Sequence, residues 1–543
     1  MIRSASLVLT LSIQQALALN VPRFIDEAAR AGIEHRYTGG WEFFVGGGVA
    51  AFDCDGDQDS DLFFAGGREP AALYRNESLT GGPLAFTHID DVVTAQTDVL
   101  GAYALDIDSD RTTDLVLLRL GENLILRGLG DCRFERANEA FGFAGGQAWS
   151  TSFSAVFEQG AALPTLFVGN YIDRHRPGAP FGTCDENALH RPAGERYGEP
   201  LAQRPAHCAL SALFSDWDRD GVPDLRISND RQYYRDGREQ LVRLPPETGP
   251  QAYGPANGFA DVKIWGMGIA SHDLTGDGLP EVFLTSMADN KLFELADTRR
   301  GIELRPAYRD TAFDRGLTLH RPHEGGDFRP STAWHAEFDD VNNDGRIDLF
   351  VAKGNVEGMP AFAENDPNNL VLGRRDGSFT EAAARAGLGN DRRARGAVLT
   401  DLNHDGMLDL VVVNREALVE IWRNLGVSAV ESDLLNAPMG QWLQLKLRQP
   451  GVNPDAIGAW VEVRAGAHLW RREITVGGGH ASSDAGWLHF GLGTAERIEL
   501  RVQWPDGEWG PWQRTFSNRF VRIERGKQQP RQWLPPRTLA SKG

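Results

Sequence analysis

The chain is predicted to be all-β: a seven-bladed propeller followed by a small C-terminal β-domain. Three observations predict it. Six short acidic loops recur with oxygen-bearing residues at positions 1, 3, 5 and 9. Each runs straight into a short apolar stretch such as Leu62-Phe63-Phe64 or Leu410-Val411-Val412-Val413, which reads as strand. The loops return at near-regular spacing, and a period of this size made of strand and turn is that of a blade of four antiparallel strands.

The loops come first. In three of them all four positions are Asp: Asp53, Asp55, Asp57, Asp61; Asp106, Asp108, Asp110, Asp114; and Asp216, Asp218, Asp220, Asp224. The fourth departs, with Asp273, Thr275, Asp277 and Glu281, and weaker or altered binding is expected there. The fifth and sixth carry a neutral amide at position 3: Asp340, Asn342, Asp344, Asp348 and Asp401, Asn403, Asp405, Asp409. Oxygens at alternate positions of a tight loop converge on one point. That suits Ca²⁺, a hard cation taking six to eight oxygens in flexible geometry. One such loop would be an ordinary Asp/Gly turn; six together form a pattern. They are not EF-hands, because position 12 is Phe64, Ile227, Val351 or Val412 in four of them, where a bidentate Glu would stand. Position 6 is Gly in four loops (Gly221, Gly278, Gly345, Gly406), where a left-handed turn suits a residue without Cβ.

Spacing gives the blade count. Loops start at 53, 106, 216, 273, 340 and 401, leaving one double-length gap. Halfway along it, Phe157 to Thr165 leads into Leu166-Phe167-Val168-Gly169-Asn170, a strand flank without ligands. This metal-free repeat near 150–170 is the third blade of seven. A ring of seven leaves no long open edge. A parallel β-helix has a far shorter period.

The innermost strands come next. Five residues before position 1 stand Gly48, Gly101, Ser152, Ser211, Gly268, His335 and Gly396. Small residues at one offset mark either bulges or a crowded axis, and the regular recurrence favours crowding.

After about residue 430 the acidic loops stop. Strand-like runs follow at Trp442–Leu447, Trp460–Val463, Trp487–Phe490 and Ile498–Trp504, with a turn at Pro505-Asp506-Gly507. They predict a separate small β-domain packed beside the propeller.

Across roughly residues 40–425 the loop pattern resembles the FG-GAP (VCBS-type) repeats of integrin α-subunit heads. That resemblance implies a Ca²⁺ loop between the first and second strands of each blade, completed by a backbone carbonyl at position 7. Ala456-Ile457-Gly458-Ala459-Trp460, Gly477-Gly478-Gly479-His480, His489-Phe490-Gly491-Leu492-Gly493 and Trp504-Pro505-Asp506-Gly507 resemble an ASPIC/UnbV domain. This order of repeats and domain is similar to the cartilage acidic protein family and its bacterial relatives. The resemblance implies a fold and little mechanism. The expected boundaries are a signal peptide at 1–18, the propeller at 19–430, the ASPIC/UnbV-like domain at 431–526 and a flexible tail at 527–543.

Residues 1–18 read as a secretory signal, with Arg3, an apolar run through Leu7–Ile13, and Ala16 and Ala18 before a cleavage site. That run is too short to span a bilayer. Export to the extracellular space, cell surface or periplasm is the expected fate. Four cysteines fit an oxidising compartment. Cys184 and Cys208 flank one insertion, and Cys54 with Cys132 could form a second bond, although sequence alone allows three pairings. Net charge is −19, which argues against nucleic acid as a partner. Three loops hold four carboxylates each and three hold three each, so 21 acids sit at key positions. Bound Ca²⁺, about five or six ions per chain, would neutralise much of this excess and should stabilise the native state by mass action.

No nucleophile elbow, zinc motif or phosphate loop occurs, so no enzyme is expected. The expected role is a calcium-binding adhesion module for a protein or glycan ligand. One alternative is a channel-mouth enzyme using His335 and Glu337, which share a strand face; the favoured role for that pair is packing. Another alternative is a scaffold assisting assembly of exported proteins. Trp265, Trp334 and Arg395, just upstream of acidic loops, are candidates for a contact surface, with interblade packing the commoner role for such residues.

Overall fold

The computed structural model of the chain describes residues 20–179, 183–230, 237–245, 249–298, 304–320, 331–357, 361–426 and 439–535. The signal peptide expected at 1–18 lies outside them. In the first blade Val49–Phe52, Asp61–Phe64, Ala72–Asn76 and Phe86–Ile89 pair antiparallel in chain order. Six further blades repeat this plan among the described residues. Their innermost strands are Val99–Leu105, Ser150–Val156, Ala209–Ser215, Gly266–His272, Ala333–Asp339 and Ala394–Thr400. The inner strands touch one another in sequence order around a ring, and the seventh touches the first. Phe24–Asp26 closes the ring as the outermost strand of the seventh blade, with Phe24 opposite Asn424. The third blade stands where the metal-free repeat was expected.

Each acidic loop joins the first strand of its blade to the second, and position 9 is the first residue of that second strand. Both strands are buried along their lengths, which explains their continuous apolar runs. Blades pack through clusters such as Phe52, Phe63 and Phe134, or Phe283, Phe338 and Val351.

The C-terminal domain is a sandwich of two four-stranded sheets. One holds Leu488–Gly493, Gln441–Arg448, Arg519–Glu524 and Arg531–Trp533; the other holds His468–Glu473, Trp460–Ala465, Arg497–Gln503 and Gln513–Phe516. Leu443, Leu445, Val461, Val463, Leu500 and Val521 fill the space between them. The free tail expected from 527 is corrected in part. Arg531–Trp533 is an edge strand on Phe520–Arg522, and Trp533 packs against Phe520 and Trp487.

The expected side-by-side packing is also corrected. The sandwich covers the acidic-loop face, and residues 475–485 enter the propeller axis. This plug hydrogen-bonds the inner strands in turn. Val476 bridges Ala155, Gly477 bridges Leu213 and Gly479 bridges Ile269. The Ala481 carbonyl accepts the Ala102 N–H (3.2 Å), the Ser482 hydroxyl accepts the Val49 N–H (3.1 Å), and Ser483–Asp484 pairs parallel with Ala50 and Ala51. Gly477, Gly478 and Gly479 all have positive φ, which lets the plug turn within the channel. The small residues five before each loop make its room. A Cβ on Gly48 would stand 1.8 Å from the Ala481 carbonyl oxygen, and one on Gly396 would stand 2.3 Å from the Ser482 hydroxyl. Register shifts also fall at or beside this offset in the second to seventh blades, so bulge and crowding coincide.

Candidate metal centres and the filled axis

Each loop is shaped by its own carboxylates. The position 1 carboxylate accepts backbone N–H groups from the far side of the turn. Asp106 takes those of Asp110 (3.1 Å) and Arg111 (2.8 Å), Asp340 those of Asp344 (3.1 Å) and Gly345 (2.7 Å), and Asp401 those of Asp405 (3.1 Å) and Gly406 (2.8 Å). The position 5 carboxylate accepts the N–H of position 7, as Asp57 does from Asp59 at 2.9 Å. Position 6 has positive φ throughout: Gln58, Arg111, Gly221, Gly278, Gly345 and Gly406. Two non-glycines therefore adopt the turn, which explains why the sequence signal holds in four loops only.

Position 9 does more than the sequence suggested. Asp61 accepts the N–H of Cys54 (2.7 Å) and that of Asn76 on the third strand (2.8 Å). Asp114, Asp348 and Asp409 repeat this clamp. The carboxylate thus ties the loop start to the third strand while staying beside the other acids.

The donor set fits a hard divalent cation in the first, second and fourth blades. There Asp53, Asp55 and Asp57; Asp106, Asp108 and Asp114; and Asp216, Asp218 and Asp220 bring one oxygen each within 4.8 Å of the others. Burial and neighbouring carboxylates raise Asp106 and Asp216 to about 6 and Asp218 to about 7. In the sixth and seventh blades burial first, then the neighbouring loop acids, pushes Asp348 and Asp409 well above the usual range. Groups that repel one another in a dry loop are those a cation would relieve. In the sixth blade the loop amide Asn342 gives its side-chain N–H to the Asn20 carbonyl (3.0 Å), and in the seventh Asn403 gives its own to the Gly82 carbonyl (2.9 Å).

The fifth blade does not fit. Arg471 of the C-terminal domain places Nη1 3.1 Å from Asp273 Oδ2 and 3.0 Å from the Gly276 carbonyl. The guanidinium takes the position 1 carboxylate, whose side chain is fully buried. Thr275 at position 3 turns to Glu281 (3.3 Å). This loop is a socket for the C-terminal domain. The metal-free third blade has its own substitute: Glu158 pairs with Arg191 (2.9 Å) and accepts the Thr165 hydroxyl (2.5 Å).

Other loops also dock the sandwich. Trp487 Nε1 reaches the Gln58 carbonyl (3.1 Å), Asn453 N the Ser109 hydroxyl (3.0 Å), Trp470 Nε1 the Gly345 carbonyl (2.9 Å), and Gln444 Nε2 the Asp401 carboxylate (2.7 Å). The disulfide Cys54–Cys132 ties the first loop to the next blade's outer hairpin, and Cys184–Cys208 staples the third blade's insertion. Among the described residues no helix is long and apolar enough to cross a membrane.

His335 and Glu337 do meet, with 3.4 Å between Nε2 and Oε2. His335 serves the plug and Glu337 the seventh blade's inner strand. His335 Nδ1 accepts the His480 N–H (3.1 Å), and Glu337 accepts the Leu399 N–H (3.0 Å). Trp334 and Arg395 form no contact surface: both are fully buried, with the guanidinium 4.2 Å over the indole and bonded to the Phe44 and Gly354 carbonyls. Trp265 is half-buried. Sequence reasoning missed Trp41. It is 48% exposed and stacks edge-on against buried Trp149 at 5.1 Å, and Phe44 bridges Trp149, Tyr171 and Trp334 beneath it. This aromatic group stops the axis at the face away from the acidic loops.

Comparison with known proteins finds family matches in both parts of the chain. Residues 340–412 match the FG-GAP-like repeat family, and residues 449–530 match the ASPIC and UnbV family. The chain is 24% identical over 513 residues to cartilage acidic protein 1 of Xenopus tropicalis, spanning 85% of this chain and 70% of that protein. Cartilage acidic protein 1 of Homo sapiens is 31% identical over 176 residues, which is 31% of this chain and 24% of the human protein. Among solved structures, BBS1N in complex with ARL6DN overlays at a TM-score of 0.42 with 8% identity, over 77% of this chain and 99% of that one.

Proposed function

We infer that this chain, with its FG-GAP-like repeat and its ASPIC and UnbV domain, is an exported binding module whose propeller is held by structural calcium. The observation that carries the reading is the convergence of loop carboxylates within 4.8 Å in three blades, on hairpins that also dock the C-terminal sandwich. Asp53, Asp55 and Asp57 with Asp61 would hold one ion, and the matching residues of the second, fourth, sixth and seventh blades would hold four more. A bound divalent cation supplies charge neutralisation and oxygen coordination there, not chemistry. Arg471 argues for five ions, not six.

The loop face is covered by the sandwich, so the opposite face is the one free to meet a protein or glycan. Trp41 at its centre offers a large, half-exposed aromatic surface on a rigid base. Two disulfides suit an oxidising compartment outside the cytosol. Binding of the calcium-loaded chain to immobilised glycans and to extracellular-matrix proteins tests the role. Retention that Trp41→Ala abolishes, without a change in melting temperature, supports it. Retention unaffected by Trp41→Ala moves the contact surface elsewhere.

A further inference from the structure

The metal-fitting loops differ in how far solvent reaches them. Position 9 is buried in all of them, so access is decided at position 3. That residue is half-buried in the first, second and fourth blades, at Asp55, Asp108 and Asp218. In the sixth and seventh it is Asn342 and Asn403, each 1% exposed.

Two layers close the sixth and seventh loops. Propeller backbone is the first: the Asn20 and Gly82 carbonyls accept the amide N–H groups of Asn342 and Asn403, a bond that an ionised Asp could not make. The second is the C-terminal sandwich, which bears on position 6. A Cβ on Gly406 would fall inside the Trp442 indole, and one on Gly345 would stand 3.4 Å from the Trp470 ring. A Cβ on Gly221, the same position in the fourth blade, would meet nothing within 4 Å among the described residues. Further contacts seal the cover. The Gly493 N–H donates to the Asn343 carbonyl (3.0 Å), and Gln444 Nε2 to the Asp401 carboxylate (2.7 Å). The first loop is touched at its Gln58 carbonyl by Trp487, yet Asp55 keeps its exposure.

Ligand charge follows the same division. The loops with four carboxylates are those of the first, second and fourth blades; the fifth, sixth and seventh have three. A divalent ion leaves two uncompensated charges in the first kind and one in the second. Residual charge costs most where water is excluded, so the neutral side chain stands where the sandwich presses on the loop. In the sixth loop Arg346 pairs with Asp344 as well. Asn403 itself points to a ligand. Its side chain stands beside the Asp405 carboxylate, and its Oδ1, deeply buried, has no hydrogen-bond partner among the described residues. A buried oxygen of this kind costs free energy unless something coordinates it.

We propose that the C-terminal sandwich is a lid that locks calcium into the sixth and seventh blades. The chain then carries two kinetic classes of ion: three that exchange with solvent while the sandwich is docked, and two that enter before it docks and leave only when it lifts. This rests on the calcium reading above and adds to it an order of assembly, metal first and sandwich second.

The test loads the full chain with radiolabelled calcium and chases it with excess unlabelled calcium, so the protein never meets a chelator. Rapid filtration reads the label retained with time. About three ions per chain should leave in a fast phase and about two at least about a hundredfold more slowly, as expected if a local opening populated about one part in a hundred gates them. Trp442→Ala should move the seventh blade's ion into the fast phase, and Trp470→Ala the sixth's. The wild-type time course needs no variant, so misfolding of either would not shelter the proposal. Loss of all label in one phase overturns the lid and leaves the calcium reading standing. No bound label overturns that reading and the lid with it. Two slow ions that persist in both variants overturn the assignment to the sandwich.

Discussion

Arg471 on the C-terminal sandwich donates to Asp273 in the fifth blade's acidic loop, Nη1 to Oδ2, at 3.1 Å. The same guanidinium pairs with Glu462 within its own domain (2.9 Å), so one side chain links two domains and fills the loop that departs most from the acidic pattern. Arg471→Gln should lower stability by about 2 kcal/mol, the scale of a lost hydrogen bond between charged groups. Differential scanning calorimetry checks it. An unchanged transition would mean that the socket contributes nothing to docking.

Gly48 lies where the plug passes the first blade. Gly48→Ala would set Cβ 1.8 Å from the Ala481 carbonyl oxygen, backbone that has no room to retreat. The variant should lose about 3 kcal/mol or fail to fold. Gly40→Ala, with nothing within 4 Å of the added carbon, should be close to neutral. Equal melting of the two variants would deny the close contact at the axis.

The two disulfides should differ in weight. Cys54–Cys132 spans 78 residues and Cys184–Cys208 spans 24. Loop-closure entropy gives about 4 kcal/mol for the longer and about 3 kcal/mol for the shorter. Paired serine variants and urea denaturation measure both, and the reverse order would show that unfolded-state closure is not the governing effect.

The blade count and the strand position of every acidic loop were legible in the sequence, because Asp at alternate positions and the strand behind it share one local cause. The third blade was found by its period and by the strand flank Leu166-Phe167-Val168-Gly169-Asn170 that persists without ligands. The plug was not legible as a plug. Gly477-Gly478-Gly479 was visible, and so was the row of small residues from Gly48 to Gly396, but their partnership spans hundreds of residues and has no local period. Arg471 carried no signal either; only the departures at Thr275 and Glu281 hinted that the fifth loop had another occupant. Trp41 sits outside the repeats, so no recurrence marked it.

With calcium chelated, stability should depend on pH in a stated direction. Burial and like charge raise Asp106 to about 6, Asp218 to about 7 and Glu281 to about 8 in the folded chain. A carboxyl raised in the native state holds its proton more tightly folded than unfolded. Its destabilisation is absent below the ordinary carboxylate value and grows as pH rises through the folded value. Melting temperature in chelator should therefore fall between about pH 4 and about pH 8. Millimolar calcium should flatten the part of that fall that comes from the metal-fitting loops, such as Asp106 and Asp218, since ionised carboxylates are the binding form, and leave the fifth blade's Glu281 part in place. A chelated protein that gains stability across this range would contradict the buried, mutually repelling loop acids.

The most direct test is calcium stoichiometry on the purified chain, by metal analysis and titration, with melting temperature in calcium and in EDTA. The account predicts about five ions per chain, one each for the first, second, fourth, sixth and seventh blades, and a large loss of stability on chelation. No bound calcium together with no EDTA effect would contradict it, and the acidic loops would then be turns held by their own backbone hydrogen bonds.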